Sequence, residues 1–508
     1  MSIRLRALKN VSTSWLSLGV NVIISIILTP LILHHLGDEG YGLWALVFSF
    51  AGYFNIFDFG LSSAVIRYVS RFHAMRDYEQ LTRYINTILF IFMCISVCLL
   101  LSTLVVSLYV SSIFHISPSL HRTAQILFLM VGCMFALQFS GDVFLGVLAG
   151  IQEFWWEYLI QIVAGILRLI LIVTVLDHGL GLLAISIVAV SLSLASYVAY
   201  IVIAFRRLPL RFFPQFSNFT TLKDILRYST TTFSSIVAGG LTSAAGNTII
   251  GIFLSAAQIT PFAIATKFTQ YVNRVIQSSA QIFTPMSSHF DATGELGRLR
   301  QVLFLGNRIC AFLAFPAGIG MLILGRSAIE VWVGAKYGWC YGLLALLVVP
   351  YTLQFAQLAS PKILYGIARH LTLGKARLIE AAANIVLSII LLRFYGVWGV
   401  ALGTAIPKFI ACVFFLPAHL CHILKVKIRS FLWEAYMWPT VTCIPMTVVL
   451  FLIHRRVGVH TLVMLVTQTL VAIAIYGLTL FVYALVKEPE GIRLRKRFFK
   501  FRHEALDR

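Results

Sequence analysis

The stretch VSTSWLSLGVNVIISIILTPLIL, residues 11–33, follows Arg4, Arg6 and Lys9 and holds no charged residue. As an α-helix it spans about 34 Å, enough to cross the hydrocarbon core of a bilayer. It is too long for the apolar centre of a signal peptide, and no A-x-A cleavage site follows it. It reads as a first membrane helix that stays in the chain.

Similar apolar runs continue to the C-terminus. About fourteen can be placed; they start near Val11, Tyr41, Ile85, Thr123, Glu157, Gly181, Thr230, Gln258, Leu303, Gly338, Ala376, Val397, Glu434 and His460. The longest gap, residues 206–228, is too short to fold as a domain. Composition agrees: 59% of the 508 residues are hydrophobic and 12% are charged, and mean hydropathy is +0.90. A soluble protein has too little polar surface to cover such a core. The expected fold class is an all-α polytopic membrane protein with about 14 transmembrane helices. The eight cysteines lie mostly inside apolar runs without C-x-x-C or Cys/His spacing, which points to packing rather than disulfides or metal.

Lys and Arg number 40 against 19 Asp and Glu, a net charge of +21. With the N-terminus inside, alternate gaps hold Arg67, Arg71, Arg76 and Arg83, then Arg206, Arg207, Arg211, Lys223 and Arg227. Arg298 and Arg300 follow, then Lys362, Arg369, Lys375 and Arg377, then Lys425, Lys427 and Arg429, and a basic tail from Lys487 onward. The opposite gaps hold Arg122, Arg326, Lys336, Arg393, Arg455 and Arg456. This asymmetry places both termini in the cytoplasm of a cell whose inner (plasma) membrane the chain crosses. It accounts for the net charge without nucleic acid. Five cations remain at membrane depth: Arg168, Lys267, Arg274, Arg308 and Lys408.

The chain also repeats itself. Leu137-Gln138-Phe139 returns as Leu353-Gln354-Phe355, Leu148-Ala149-Gly150-Ile151 as Leu364-Tyr365-Gly366-Ile367, and Ser12-Thr13 as Ser229-Thr230. The shared offset, about 216 residues, is one six-helix lobe. The expected domains are an N-terminal six-helix lobe (1–222), a second six-helix lobe (223–430), an extra helix pair (431–487) and a basic cytoplasmic tail (488–508). Six is even, so both lobes start inside and the repeat is parallel.

Residues 36–44 (LGDEGYGLW), 57–64 (FDFGLSSA), 247–255 (NTIIGIFLS) and 283–287 (FTPMS) resemble the multidrug/oligosaccharidyl-lipid/polysaccharide (MOP) exporter superfamily. Within it they are most similar to the polysaccharide-biosynthesis, O-antigen (Wzx-type) oligosaccharide flippases. The resemblance implies helices 1, 2, 7 and 8 around a central cavity. It also implies a substrate that is undecaprenyl-pyrophosphate-linked oligosaccharide, moved to the outer leaflet by alternating access. The partners implied are lipid-linked oligosaccharide, membrane lipids and polysaccharide polymerase or assembly proteins. In two respects the chain departs from the family. Asn247 stands where members often carry Asp, and many O-antigen flippases stop at twelve helices.

Helix 8 carries the clearest chemistry. Lys267, Gln270, Arg274, Gln277 and Gln281 lie on one stripe. Two cations on one stripe at membrane depth imply water, an acidic partner or a polar ligand. A pyrophosphate would suit the cations and sugars the glutamines, whereas a structural reading pairs the cations with acids. Asn247 and Asn55 are further cavity candidates. Asp58 is a candidate gate or coupling residue facing Arg274, or else a helix-local group beside Gly60. Asp142 and Arg168 match in depth and are expected to form a structural ion pair, and Glu380 is the nearest acid for Lys408. No Walker A motif, H-E-x-x-H motif or metal-ligand cluster occurs, so no cofactor, metal or catalytic residue is expected. A MATE-like drug/cation antiporter would want acids where helix 8 has bases. A membrane glycan polymerase or ligase would want a long external loop.

Overall fold

The computed structural model describes the backbone of residues 3–208 and 219–504. Arg211 and the side chains of the basic tail beyond residue 485 lie outside the described residues. Every regular element among the described residues is helical: α1 (Ile3–Ser49), α2 (Ala51–Phe54), α3 (Leu61–Met75), α4 (Tyr78–Ile113), α5 (His121–Gly150) and α6 (Trp155–Asp177) come first. Then follow α7 (Gly181–Arg207), α8 (Phe219–Phe253), α9 (Ala256–Ala280), α10 (Phe283–Ala292), α11 (Leu296–Val333) and α12 (Cys340–Ala356). The chain ends with α13 (Ala359–Gly366), α14 (Leu371–Tyr395), α15 (Val397–Ile410), α16 (Leu416–Leu424), α17 (Ile428–Val457) and α18 (Leu462–Glu504).

Among the described residues twelve stretches are long and apolar enough to cross a membrane. The first, Ser12–Asp58, is 47 residues long, about twice what one crossing needs. Gly37, at φ 68° and ψ −176°, breaks α1 inside it. A side chain would be strained at that φ, so glycine ends one crossing and lets the next begin. A further crossing, α9, has 25 residues, about 37 Å of helix, and its polar stripe keeps it out of the apolar set. By length alone these two helices would bring the twelve to fourteen; by length and apolarity together the described residues hold twelve, against the roughly fourteen expected from the sequence.

The second crossing is broken in turn. A 3-10 turn, Asn55–Asp58, separates α2 from α3, and Phe59 and Gly60 are both left-handed. Asp58 then caps α3, accepting from the Gly60 and Ser62 amides at 3.1 Å each and from the Ser62 hydroxyl. This satisfies amides that the helix start would otherwise leave without partners.

The chain packs as two compact units, Met1–Lys267 with His370–Ala411, and Phe268–Arg369 with Cys412–Arg508. In the first unit α8 lies along α14 and also touches α1, α2 and α3, which draws α14 and α15 into that unit. One end of the unit is a tight seam. Gly42 meets α9 so closely that a Cβ would overlap the Ala256 carbonyl. There the Thr260 hydroxyl donates to the Asp38 carbonyl at 2.6 Å, and the Ser117 amide to Glu39 Oε1 at 2.8 Å. His115 donates to the Gly251 carbonyl at 3.0 Å and accepts from the Ala256 amide at 3.2 Å. In lipid such small-residue contacts and hydrogen bonds replace the hydrophobic effect as the glue between helices.

In the second unit α17 and α18 pack on α11 over Leu324, Cys443, Met446, Leu450, Ala472 and Tyr476. The Tyr476 hydroxyl donates to the Phe312 carbonyl at 2.7 Å, so this helix pair is fastened to the unit.

Candidate functional site

Lys267 sits where α9 passes α1. Its ammonium donates to Thr29 Oγ1 at 2.7 Å and stands 5.6 Å from the centroid of the Tyr41 ring. Thr29 in turn donates to the Ser25 carbonyl at 2.7 Å. Thr29 and Tyr41 are each 1% exposed. Both of these groups are neutral and help to orient the ammonium.

The rest of the stripe is turned outward. Gln270, Arg274, Gln277 and Gln281 are exposed, while Ala263, Ile264, Ala265, Ile276 and Ala280 are buried. A helix facing lipid would have the opposite arrangement, apolar outside. The exposed face of α9 is therefore one suited to water or a polar ligand. Among the described residues Arg274 makes no ion pair.

The remaining candidates divide. Asn55 is exposed on the 3-10 turn. Asn247 donates to the Ala45 carbonyl at 3.4 Å, and its Oδ1 is buried without a partner. Asp58 spends both carboxylate oxygens on the first turn of α3, which is the helix-local role that Gly60 allows.

Arg168 and Asp142 form no ion pair, contrary to expectation. Asp142 accepts from Gln138 Nε2 at 3.4 Å, and Arg168 Nε is buried without a partner. Matched residue counts set the height of two side chains but not the side of the helix each leaves from. Gly141, next to Asp142, lies against Tyr197 of α7, whereas Gly165, one turn before Arg168, lies against Asn21 and Ile24 of α1.

Two other membrane-depth cations are paired. Lys408 meets Glu380 at 3.1 Å, with side-chain exposures of 4% and 16%. Arg308 holds Glu434 twice, through its carboxylate at 3.0 Å and its carbonyl at 2.7 Å.

Sequence reasoning missed Thr29, Tyr41 and the Asp38–Thr260 contact. Thr29 sits in an apolar run and carries no periodic signal; Gly40-Tyr41-Gly42 was the one visible hint of close approach. No group of three metal-ligating side chains exists among the described residues.

Two comparisons of structure show the fold. The fold matches the lipid II flippase MurJ in its inward closed conformation, with a TM-score of 0.70 at 15% identity over 94% of this chain and 98% of that one. It also matches an inward-facing multidrug resistance MATE family transporter of the MOP superfamily, with a TM-score of 0.65 at 15% identity over 80% and 95%. This is the fold of MOP-superfamily membrane transporters. The sequence places the chain further: residues 7–290 match the family model described as polysaccharide biosynthesis protein, and the chain belongs to that family. A relative is the probable low-salt glycan biosynthesis flippase Agl15 of Haloferax volcanii, 24% identical over 276 residues. That match takes in 54% of this chain and 57% of the relative, so the chain spans little more than half of its length.

Proposed function

We propose that the chain is a flippase for lipid-linked oligosaccharide, carrying an undecaprenyl-pyrophosphate-linked glycan from the cytoplasmic to the outer leaflet. The observation that carries the reading is the polar stripe of α9, on which Gln270, Arg274 and Gln277 are exposed and Lys267 is half-buried. In a low-dielectric path a cation attracts a phosphate several-fold more strongly than in water. The amides offer hydrogen bonds to sugar hydroxyls. The names of MurJ and Agl15 support the class of cargo, and the family supports a role in polysaccharide assembly.

The positive-inside asymmetry puts the Gly37 end of α1, and with it the seam, on the outer side. In this reading the seam is the closed outer gate, and transport requires its hydrogen bonds to part as the repeated lobes, 1–222 and 223–430, rock in alternating access. Asp58 braces the hinge at Gly60 and so tunes that motion. A MATE-like pump for cationic drugs fits α9 less well, because its exposed charges are basic. The test is reconstitution with a fluorescent undecaprenyl-diphosphate sugar. Protein-dependent exposure of the probe in the opposite leaflet supports the proposal, and none above protein-free vesicles refutes it. Reporter fusions at both termini read the orientation.

A further inference from the structure

On α6 one stripe runs Glu157, Gln161, Gly165, Arg168, Ile172 and Leu176. It faces protein. Gln161 donates to Glu157 at 3.0 Å and accepts from Ser17 of α1 at 3.3 Å. Gly165 touches Asn21 and Ile24, and Ile172 and Leu176 are buried. The lipid side of the helix is apolar and exposed: Val163, Ile166, Leu167 and Ile170. Arg168 therefore projects into the bundle. It stands nine residues, about 14 Å, from the nearer end of α6, deeper than a snorkelling side chain reaches.

Within the described residues nothing holds it. Arg168 makes no ion pair, and its buried Nε has no hydrogen-bond partner. A guanidinium at that depth is stable when it meets water or an anion. Its position against α1 locates it. The helices run parallel: Asn10 Oδ1 takes the Trp155 amide at 3.0 Å, Ser17 meets Gln161, and Asn21 meets Gly165. Arg168 thus lies level with Ile24 and Ser25, about one helical turn from Thr29, the residue that orients Lys267.

We infer that Arg168 binds a diphosphate oxyanion of the cargo at mid-membrane depth, from the α6 side of α1. This rests on the flippase reading and adds a binding residue to it. The planar fork of arginine matches a phosphate in two parallel hydrogen bonds, and lysine cannot reproduce that geometry.

The probe is farnesyl diphosphate, with farnesol as the uncharged control, titrated onto the purified full chain with melting temperature and Kd as readouts. Wild type is expected to prefer the diphosphate. Arg168→Gln is expected to weaken it about tenfold or more, Arg168→Lys severalfold, and Asp142→Asn not at all. Wild-type Kd in folded Arg168→Gln, or in Arg168→Lys should the Gln variant fail to fold, overturns the inference and leaves the flippase reading standing. So do equal melting losses in Arg168→Gln and Asp142→Asn that the double variant repairs, because they would mark a structural pair. A wild-type chain that does not distinguish farnesyl diphosphate from farnesol overturns both readings.

Discussion

The α9 stripe and the α14–α15 hairpin both keep a cation at membrane depth, and they treat it in opposite ways. In the hairpin, Lys408 is 3% exposed and bound to Glu380 at 3.1 Å. Ser388, Asn384 and Thr404 are buried in the same hairpin, and Gly403 lets the two helices close onto Ser388. On α9, Arg274 is exposed and makes no ion pair among the described residues. A buried pair whose charges cancel inside the protein serves packing. A cation whose charge the protein leaves uncancelled is available to something else. In the proposed reading the same residue type serves structure in one region and the cargo in the other.

The sharpest way to break this contrast is to break the hairpin pair. Lys408→Met leaves Glu380 without its cation, and removing one partner of a buried pair costs about 3–5 kcal/mol. Unfolding in mixed micelles should show that loss, and the double variant Lys408→Met/Glu380→Gln should recover most of it. A single variant as stable as wild type would mean the pair is not structural.

Next in size is the opposite signature on α9. Arg274→Gln should slow glycan-lipid transport about 10- to 100-fold, equivalent to about 1.4–2.8 kcal/mol, with melting unchanged. A melting loss comparable to that of Lys408→Met would erase the distinction between the two regions. Smaller again is the Asp58 cap: Asp58→Ala should destabilise by about 1 kcal/mol, and Asp58→Asn, whose side chain can still accept, by less. An Asp58→Asn variant that melts normally but fails to transport would show that Asp58 gates or couples transport as well as capping α3. The smallest effect is expected at the partly exposed Arg308–Glu434 pair, where Arg308→Met should lower stability by about 0.5 kcal/mol.

Much of the fold was legible because bilayer thickness translates directly into run length. The first break falls between the run that ends at residue 33 and the one that starts near Tyr41, and Gly60 beside Asp58 pointed to the second. Crossing α9 was recoverable although its polar stripe lowers its hydropathy, because the stripe keeps a helical period. The Glu380–Lys408 pair was visible as the nearest acid on a neighbouring helix. The Asp142–Arg168 pair was expected on the same reasoning and is absent, because azimuth around a helix is set by packing against Tyr197 on one side and Asn21 on the other. Thr29 and Tyr41 were illegible for a related reason. Their role exists only once α1 and α9 cross.

The central claim is that α9 carries its cations for the cargo. The direct measurement compares proteoliposomes of wild type and Lys267→Gln/Arg274→Gln flipping an undecaprenyl-diphosphate-linked oligosaccharide, with melting recorded on the same preparations. The account predicts that flipping falls to the protein-free background while the double variant melts within a degree or two of wild type. Flipping at the wild-type rate by the folded double variant would contradict it.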